Sequence, residues 1–378
     1  MTSHPRQKRI LHVYQSPSYS GAEAYARDVA LWHAKKQHEV VFLTKAASPL
    51  DIKLLSDMAA LGNQHFLVES DINRLHLQSF DAIILHSTRE LKNHWPRLLW
   101  KLAGRSTSCT VLYSHIWISH SKRDPIHYLL YKMIDQFWCS SLASKKNLEQ
   151  QLPMAPDKIR VVHYGRDIDV FEKNLKSKSA ARDLLKIPQE AKVFGTLGRV
   201  DQGKGSRELF DAAIPLLSEN PSLHFLMIGP PTASDPKAVA LDHQLERELQ
   251  NLESTKPKIR SRIHKVGRLE DGSSYLSAFD LFVLATYKEN FALTLLEAQL
   301  AGVPCLATNA GGSPDLVAPG KTGWLFEPAS TASLEAAIHL ALSEESKWKE
   351  FGTNSKELVR QTYRFDRVLN ELDLNLGL

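Results

Sequence analysis

Arg199 and Lys204 lie five residues apart in GRVDQGKGSRELF, residues 198–210, directly after the apolar run 193–197. Gly203 and Gly205 allow a ligand close to the backbone. The helical pattern that follows from Ser206 would turn unpaired N–H groups and a positive dipole end toward the turn. Arginine brings a planar fork and lysine a compact charge, a pair suited to two adjacent phosphates. The frame Gly198-x-x-x-x-Gly203-Lys204 comes close to a triphosphate-binding loop, but that chemistry needs Ser or Thr directly after the lysine to hold Mg2+. Gly205 takes that position and Ser206 comes one residue late. Asp81 and Asp280 precede their strands, so no strand ends in the aspartate such an enzyme uses. These residues suit a grip on diphosphate better than cleavage of a triphosphate.

Glu289 and Glu297 form a second pair, in YKENFALTLLEAQLAGVPCLATNAGGSPDL after the apolar run 281–285. On one helix they would differ by roughly 12 Å of rise and about 80° of rotation, so they cannot hold the same atom. They could hold opposite ends of an elongated ligand, with the backbone N–H groups of residues 290–293 offered to a phosphate between them. Glu297 is hemmed in by Leu295, Leu296, Ala298 and Leu300. A carboxylate in such a segment needs a partner. Gly311-Gly312 adds another turn open to a ligand.

Short apolar runs must position these turns. They fall at 10–14, 39–44, 82–86, 110–115, 136–140 and 159–163, then at 193–197, 223–228, 262–266, 281–285, 303–308 and 324–326. Amphipathic segments such as 21–36, 89–104 and 143–151 separate them. This alternation predicts βαβ units and parallel sheets. A dozen strands are many for one such sheet, and 378 residues exceed one compact core. The expected architecture is α/β with two Rossmann-like domains, residues 1–168 and 169–355, and a terminal helical segment, 356–378, that could pack back on the first domain. Ligands of such sheets bind where strands end and helices begin.

Hydrophobic residues make up 43% and charged residues 24%, as in ordinary globular proteins. No window approaches eighteen uncharged apolar residues, and the run at 10–14 is too short for a signal-peptide core. Cys109, Cys139 and Cys305 are scattered, which predicts neither a disulfide framework nor a zinc site and suits a reduced, cytoplasmic setting. Residues 1–175 carry 23 Lys and Arg against 16 Asp and Glu, so the amino-terminal half should meet an acidic partner. Much of that charge lies in RELKNHWPRLLWKLAGR, from Arg89 to Arg105, read as a basic amphipathic helix with Pro96 near its start. It is expected either to rest on an anionic membrane surface or to pack its apolar residues into the first domain.

GRVDQGKG, KVGRLE, DLFVLATYKENFALTLLEAQLAGVPCLATNAGGSPDLV and GKTGWLFEP occur in this order in the second half. SYSGAEAYARDVALWHAKKQHEVVFLT, DQFWCSSLASKKNLEQ and VVHYGRDIDVF occur in the first. Together they resemble the retaining glycosyltransferases of family 4, which have the GT-B fold, two facing Rossmann-like domains with an interdomain cleft. The resemblance implies that Arg199 and Lys204 neutralise the diphosphate of a nucleotide-sugar donor. It also implies that Glu289 contacts hydroxyls of the donor sugar and Glu297 those of the ribose. Gly267, Asn290, Phe291, Ala292 and Leu293 would complete the donor site, and Ser20-Gly21 would close over the diphosphate from the other domain. His115 is the expected histidine beside the transferred sugar, although His86 and His120 also fall near strand ends. The family usually has Gly-Gly in place of Ser20-Gly21, and Gly in place of Ala292.

The mechanism so implied keeps the anomeric configuration. The acceptor attacks from the face the diphosphate leaves, and the leaving phosphate oxygen takes its proton. No metal site, Asp-x-Asp site or cofactor is expected, because fixed positive groups stand in for a divalent ion. UDP and GDP sugars are the expected donors, with a slight preference for UDP. The expected acceptor is a glycan or glycolipid in cell-surface polysaccharide or lipopolysaccharide synthesis, at the inner face of the plasma membrane. Nucleic acid is not an expected partner. A GT-B protein that binds without turnover is the alternative. A dinucleotide oxidoreductase lacks its GxGxxG turn and distant acid.

Overall fold

The computed structural model describes residues 7–19, 21–61, 65–103 and 108–377. Among these residues thirteen strands form two sheets, and every strand pair is parallel. The first sheet contains β1 (Arg9–Tyr14), β2 (Glu39–Thr44), β3 (Phe66–Glu69), β4 (Ala82–Leu85), β5 (Cys109–Tyr113), β6 (Gln136–Cys139) and β7 (Ile159–Val161), in the order β3-β2-β1-β4-β5-β6-β7. The second contains β8 (Lys192–Leu197), β9 (Leu223–Ile228), β10 (Ile263–Val266), β11 (Leu281–Leu284), β12 (Cys305–Thr308) and β13 (Gly323–Phe326), in the order β10-β9-β8-β11-β12-β13. Both are doubly wound Rossmann-like sheets. Their central strands are buried on both faces, which is why they read as continuous apolar runs rather than as alternation.

The expected strands are present with ends moved by a few residues, and β3 is the one the pattern missed. Its four residues FLVE lie at a sheet edge with Leu67 half exposed, too short and too mixed to stand out. The basic segment also differs. Its helix spans Thr88–Leu98, starts at Ser87 whose side chain accepts from the Glu90 N–H, and continues as a 3-10 stretch, Leu99–Ala103. Pro96 therefore sits in the last turn, not the first. It supplies no N–H for another α-type bond, and the tighter winding follows.

The chain divides into two compact units, one of residues up to Tyr164 together with those from Asp366 on, the other Gly165–Phe365. The boundary thus falls a few residues before the expected 168/169, and the segment 356–378 is not one helix. One helix, Trp348–Thr362, belongs to the second unit, and a new one, Phe365–Leu376, follows. The break has a backbone cause: the Arg166 N–H donates to the Tyr363 carbonyl (2.9 Å), and the Phe365 N–H donates to the Arg166 carbonyl (3.0 Å).

Arg182, almost wholly buried, anchors the start of β8 in the second unit. Its Nε donates to the Ala278 carbonyl (3.1 Å), Nη1 to the Gln189 carbonyl (2.5 Å) and Nη2 to Asp280 (2.7 Å). Asp280 also accepts from the Val193 N–H (2.7 Å). Removing one partner of a buried pair leaves the other charge uncompensated. Arg182→Ala should therefore lose about 3 kcal/mol in urea unfolding. A loss under about 0.5 kcal/mol would mean the network carries little.

Candidate active site

In the second sheet the chain leaves β8 toward β9 on one side, whereas β11 leads to β12 on the other. A crevice opens at the carboxyl ends of such diverging strands. Arg199, Lys204 and Glu289 all sit in the turns there. The two turns are bonded to each other. The Gly203 carbonyl accepts from Thr286 Oγ1 (3.1 Å) and from the Tyr287 N–H (2.9 Å). The Tyr287 hydroxyl donates to Glu208 on the helix that follows β8. Gly205 has φ +66°, and a Cβ there would stand 2.1 Å from the Ala285 carbonyl oxygen. The turn after β12 joins them. The Gly312 N–H donates to the Glu289 carbonyl (2.8 Å), and a Cβ on Gly311 would meet that same oxygen at 2.0 Å.

Three helices begin at these turns, Ser206–Glu219, Leu293–Leu300 and Ser313–Leu316. None has a side-chain cap, because Gly205, Ala292 and Gly312 stand at their N-cap positions. By contrast, Ser177, and Asp235 in the loop that follows the neighbouring strand β9, cap the helices they precede. The first N–H groups of a helix need a partner, and where no side chain supplies one an anion can. Lys204 Nζ pairs with Glu289 Oε2, and Asp201 fixes the lysine's backbone by accepting from its N–H (2.9 Å). Arg199 is exposed and makes no ion pair among the described residues. Asn290, Phe291, Ala292 and Leu293 form the entry to the Leu293–Leu300 helix, with Phe291 and Ala292 buried. Glu289 precedes that helix and Glu297 lies within it, so the two do not share a helical face.

Glu297 is only 5% exposed. It has the partners its apolar setting demands: Arg166 Nη2 at 2.7 Å from Oε1, and Ser273 Oγ donating to Oε2 at 2.7 Å. Arg166 Nε, also buried, has no partner among the described residues. Both partners escaped sequence reasoning. The signal that something must neutralise Glu297 was there, but nothing in the sequence says which of many basic residues does so. Gly267 follows the edge strand β10, two strands from β8, and a Cβ there would meet nothing within 4 Å. The sequence's single Asp-x-Asp, Asp167-Ile168-Asp169, corrects the reading that none exists. Asp167 caps the helix Ile168–Asn174 by accepting from the Val170 N–H (3.0 Å).

In the first unit Gly21 opens the helix Gly21–Lys35, and Ser20 lies outside the described residues. His115 is two residues past β5, with both ring nitrogens engaged: Nδ1 to the Tyr164 hydroxyl at 2.5 Å and Nε2 to His86 Nδ1 at 3.1 Å. His120 is exposed, and among the described residues it bonds its neighbour Ser119 (2.7 Å). Burial lowers His115 to about 4 and drives His12 and His86 well below the ordinary histidine value. His264, stacked on His224 in the second unit, is likewise lowered by burial to about 4. All three cysteines are free thiols.

Residues 177–358 match the family model described as glycosyl transferases group 1. The chain is 24% identical over 347 residues, 84% of each protein, to UDP-Gal:alpha-D-GlcNAc-diphosphoundecaprenol alpha-1,3-galactosyltransferase of Escherichia coli. It is 33% identical over 173 residues, 46% of this chain and 38% of the relative, to D-inositol 3-phosphate glycosyltransferase of Streptomyces scabiei. Among solved structures, Anabaena HepE in complex with UDP-glucose superposes with a TM-score of 0.78 at 19% identity, covering 98% of this chain and 100% of its own. A glycosyltransferase from Rickettsia africae gives 0.79 at 17%, covering 98% of both. These structural likenesses carry the fold.

The buried imidazoles set an acid limit on stability. Unfolded histidines bind a proton near 6.5, and the folded groups resist one until about 4. In that window the unfolded chain binds more protons, so stability is fully present above 6.5 and falls as pH drops toward 4. The slope is up to about 1.4 kcal/mol per pH unit for a group such as His115. Thermal unfolding midpoints should be flat above about pH 7 and fall steadily below 6.5; a midpoint unchanged down to pH 5 would contradict this burial.

Proposed function

We propose that the chain, whose residues 177–358 match the glycosyl transferases group 1 and whose fold is of the GT-B type, moves a sugar from a nucleotide-diphosphate sugar to a glycan or glycolipid, with retention of configuration. The observation that carries the proposal is the cluster of uncapped helix starts beside Lys204 and Arg199, at the switch point between β8 and β11. The diphosphate gains charge as the glycosyl bond breaks. Fixed N–H groups and cations aimed at it lower the barrier without reorganising. Lys204 already stands in the turn, held by Glu289, and a bound diphosphate would share it. Glu289 then faces hydroxyls of the sugar. Glu297, oriented by Arg166 and Ser273, keeps lone pairs for ribose hydroxyls, and the unpartnered Arg166 Nε supplies a donor beside them.

UDP is the proposed nucleotide, supported by the HepE complex and by the donor in the name of the Escherichia coli relative. That relative's acceptor, a sugar on a lipid diphosphate, supports a glycolipid acceptor in cell-surface glycan synthesis at a membrane. No helix among the described residues is long and apolar enough to cross one. The basic segment offers a peripheral contact instead: Leu98 is in the core and Trp100 packs against it, while Trp95, Leu99 and Leu102 are exposed among Arg89, Lys92 and Arg97. The neighbouring helix Pro125–Tyr131 exposes Ile126, Tyr128 and Leu129. Apolar side chains rimmed by basic ones suit an anionic leaflet.

Lys204→Ala should lower kcat by about 10²–10³, the worth of one preorganised donor. Glu289→Ala should lower kcat more than Glu297→Ala, because Glu289 stands at the sugar end. Steady-state transfer of radiolabelled sugar measures both, and unchanged turnover in Lys204→Ala would refute the diphosphate assignment. In low salt the protein should sediment with vesicles containing anionic lipid and not with neutral ones. No binding to either would remove the membrane contact.

A further inference from the structure

Four histidines cross the first unit in an unbroken series of hydrogen bonds. Asp373 Oδ1 lies 3.0 Å from His33 Nε2, His33 Nδ1 3.0 Å from His12 Nε2, His12 Nδ1 3.0 Å from His86 Nε2, and His86 Nδ1 3.1 Å from His115 Nε2. The Tyr164 hydroxyl closes the series at His115 Nδ1. His33 comes from the helix over β1, His12 from β1 itself, and His86 and His115 from the ends of β4 and β5, the next strands in the sheet. His12, His86 and His115 follow the spacing of neighbouring strands, with ring centroids 5.3 and 5.4 Å apart, and His33 on the helix lies 5.2 Å from His12. His12, His33 and His86 are wholly buried, and Phe42 stacks on His12.

A neutral imidazole donates from one nitrogen and accepts at the other, so a series of them has a single direction. A carboxylate can only accept. A neutral His33 therefore carries its proton on Nε2 and accepts at Nδ1, and the same choice then passes to His12, His86 and His115 in turn. We propose that Asp373 dictates, through His33, His12 and His86, that His115 carries its proton on Nε2 and presents Nδ1 as a hydrogen-bond acceptor for a hydroxyl group. Tyr164 fills that role in the free protein, and a hydroxyl of a sugar bound to this unit replaces it during turnover. This last step alone rests on the function proposed above. Asp373 and the three intervening histidines are positioning residues. Burial keeps His12, His86 and His115 neutral, as the single direction requires. Hydrogen bonds from His33, Lys36 and Trp32 outweigh burial at Asp373 and hold its carboxyl below the usual range, so it stays an acceptor.

Two-bond proton–nitrogen spectra of the full chain labelled with nitrogen-15 histidine, recorded without donor at pH 7.5, read each tautomer directly. The wild type should show His33, His12, His86 and His115 all protonated on Nε2. His115 protonated on Nδ1 would overturn the proposal. In Asp373→Asn the amide can donate to His33 and reverse the series, so His115, four hydrogen bonds away, should lose its single tautomer. Turnover should fall about tenfold, the scale of one hydrogen bond. An unchanged His115 spectrum in that variant would overturn the proposal. Tyr164→Phe, at the far end, should leave all four tautomers as they were. Reversal there would show that direction comes from the tyrosine, also overturning it. Disordered tautomers with full sugar transfer would refute the positioning role. Ordered tautomers with no transfer from any nucleotide sugar would count against the proposed function alone.

Discussion

The carbonyl oxygens of Gly203 and Glu289 are the points on which the second unit's site depends. Each is used up by a neighbouring turn, the first by Thr286 and Tyr287, the second by Gly312. That mutual use ties together the turns after β8, β11 and β12, from which three helices start without a side-chain cap. A side chain larger than hydrogen at position 205 or 311 would push these turns apart. Backbone thus does the placing, and the side chains that carry charge are added to a frame already set. This ordering suits a ligand whose charge is largest at its phosphates.

Lys204 and Glu289 illustrate how such a frame tolerates an isolated charge. With no ligand, a lysine near the positive end of the helix that starts at Ser206 is disfavoured by that dipole, and the Glu289 carboxylate offsets it. Since both side chains are partly exposed, the pair itself contributes little to folding. Its value lies in keeping a cation and an acceptor close together where sugar and phosphate meet.

Most of the fold was legible in the sequence, because strands buried on both faces announce themselves as apolar runs, and glycines at strand ends mark turns with particular φ angles. Arg199, Lys204 and Glu289 were legible for the same reason, standing next to those turns. What escaped has a common cause. Arg166 meets Glu297 across 131 positions of chain, and His12, His33, His86 and Asp373 meet through a sheet order that no local window contains. The edge strand β3 was lost because an exposed edge mixes polar and apolar residues. Pro96 was placed at the wrong end of its helix because Ser87, a stronger start signal, lies outside the charged stretch that drew attention.

The first unit is built from two pieces of chain with all of Gly165–Phe365 between them. Its second piece brings Asp373 to Trp32, His33 and Lys36. On a ribosome adding about 5–20 residues per second, those contacts must wait roughly ten to forty seconds after Tyr164 has emerged. During that interval His33 stands without its carboxylate and the helix over β1 without its cover. The amino-terminal sheet therefore reaches its final state only after the other unit has been translated.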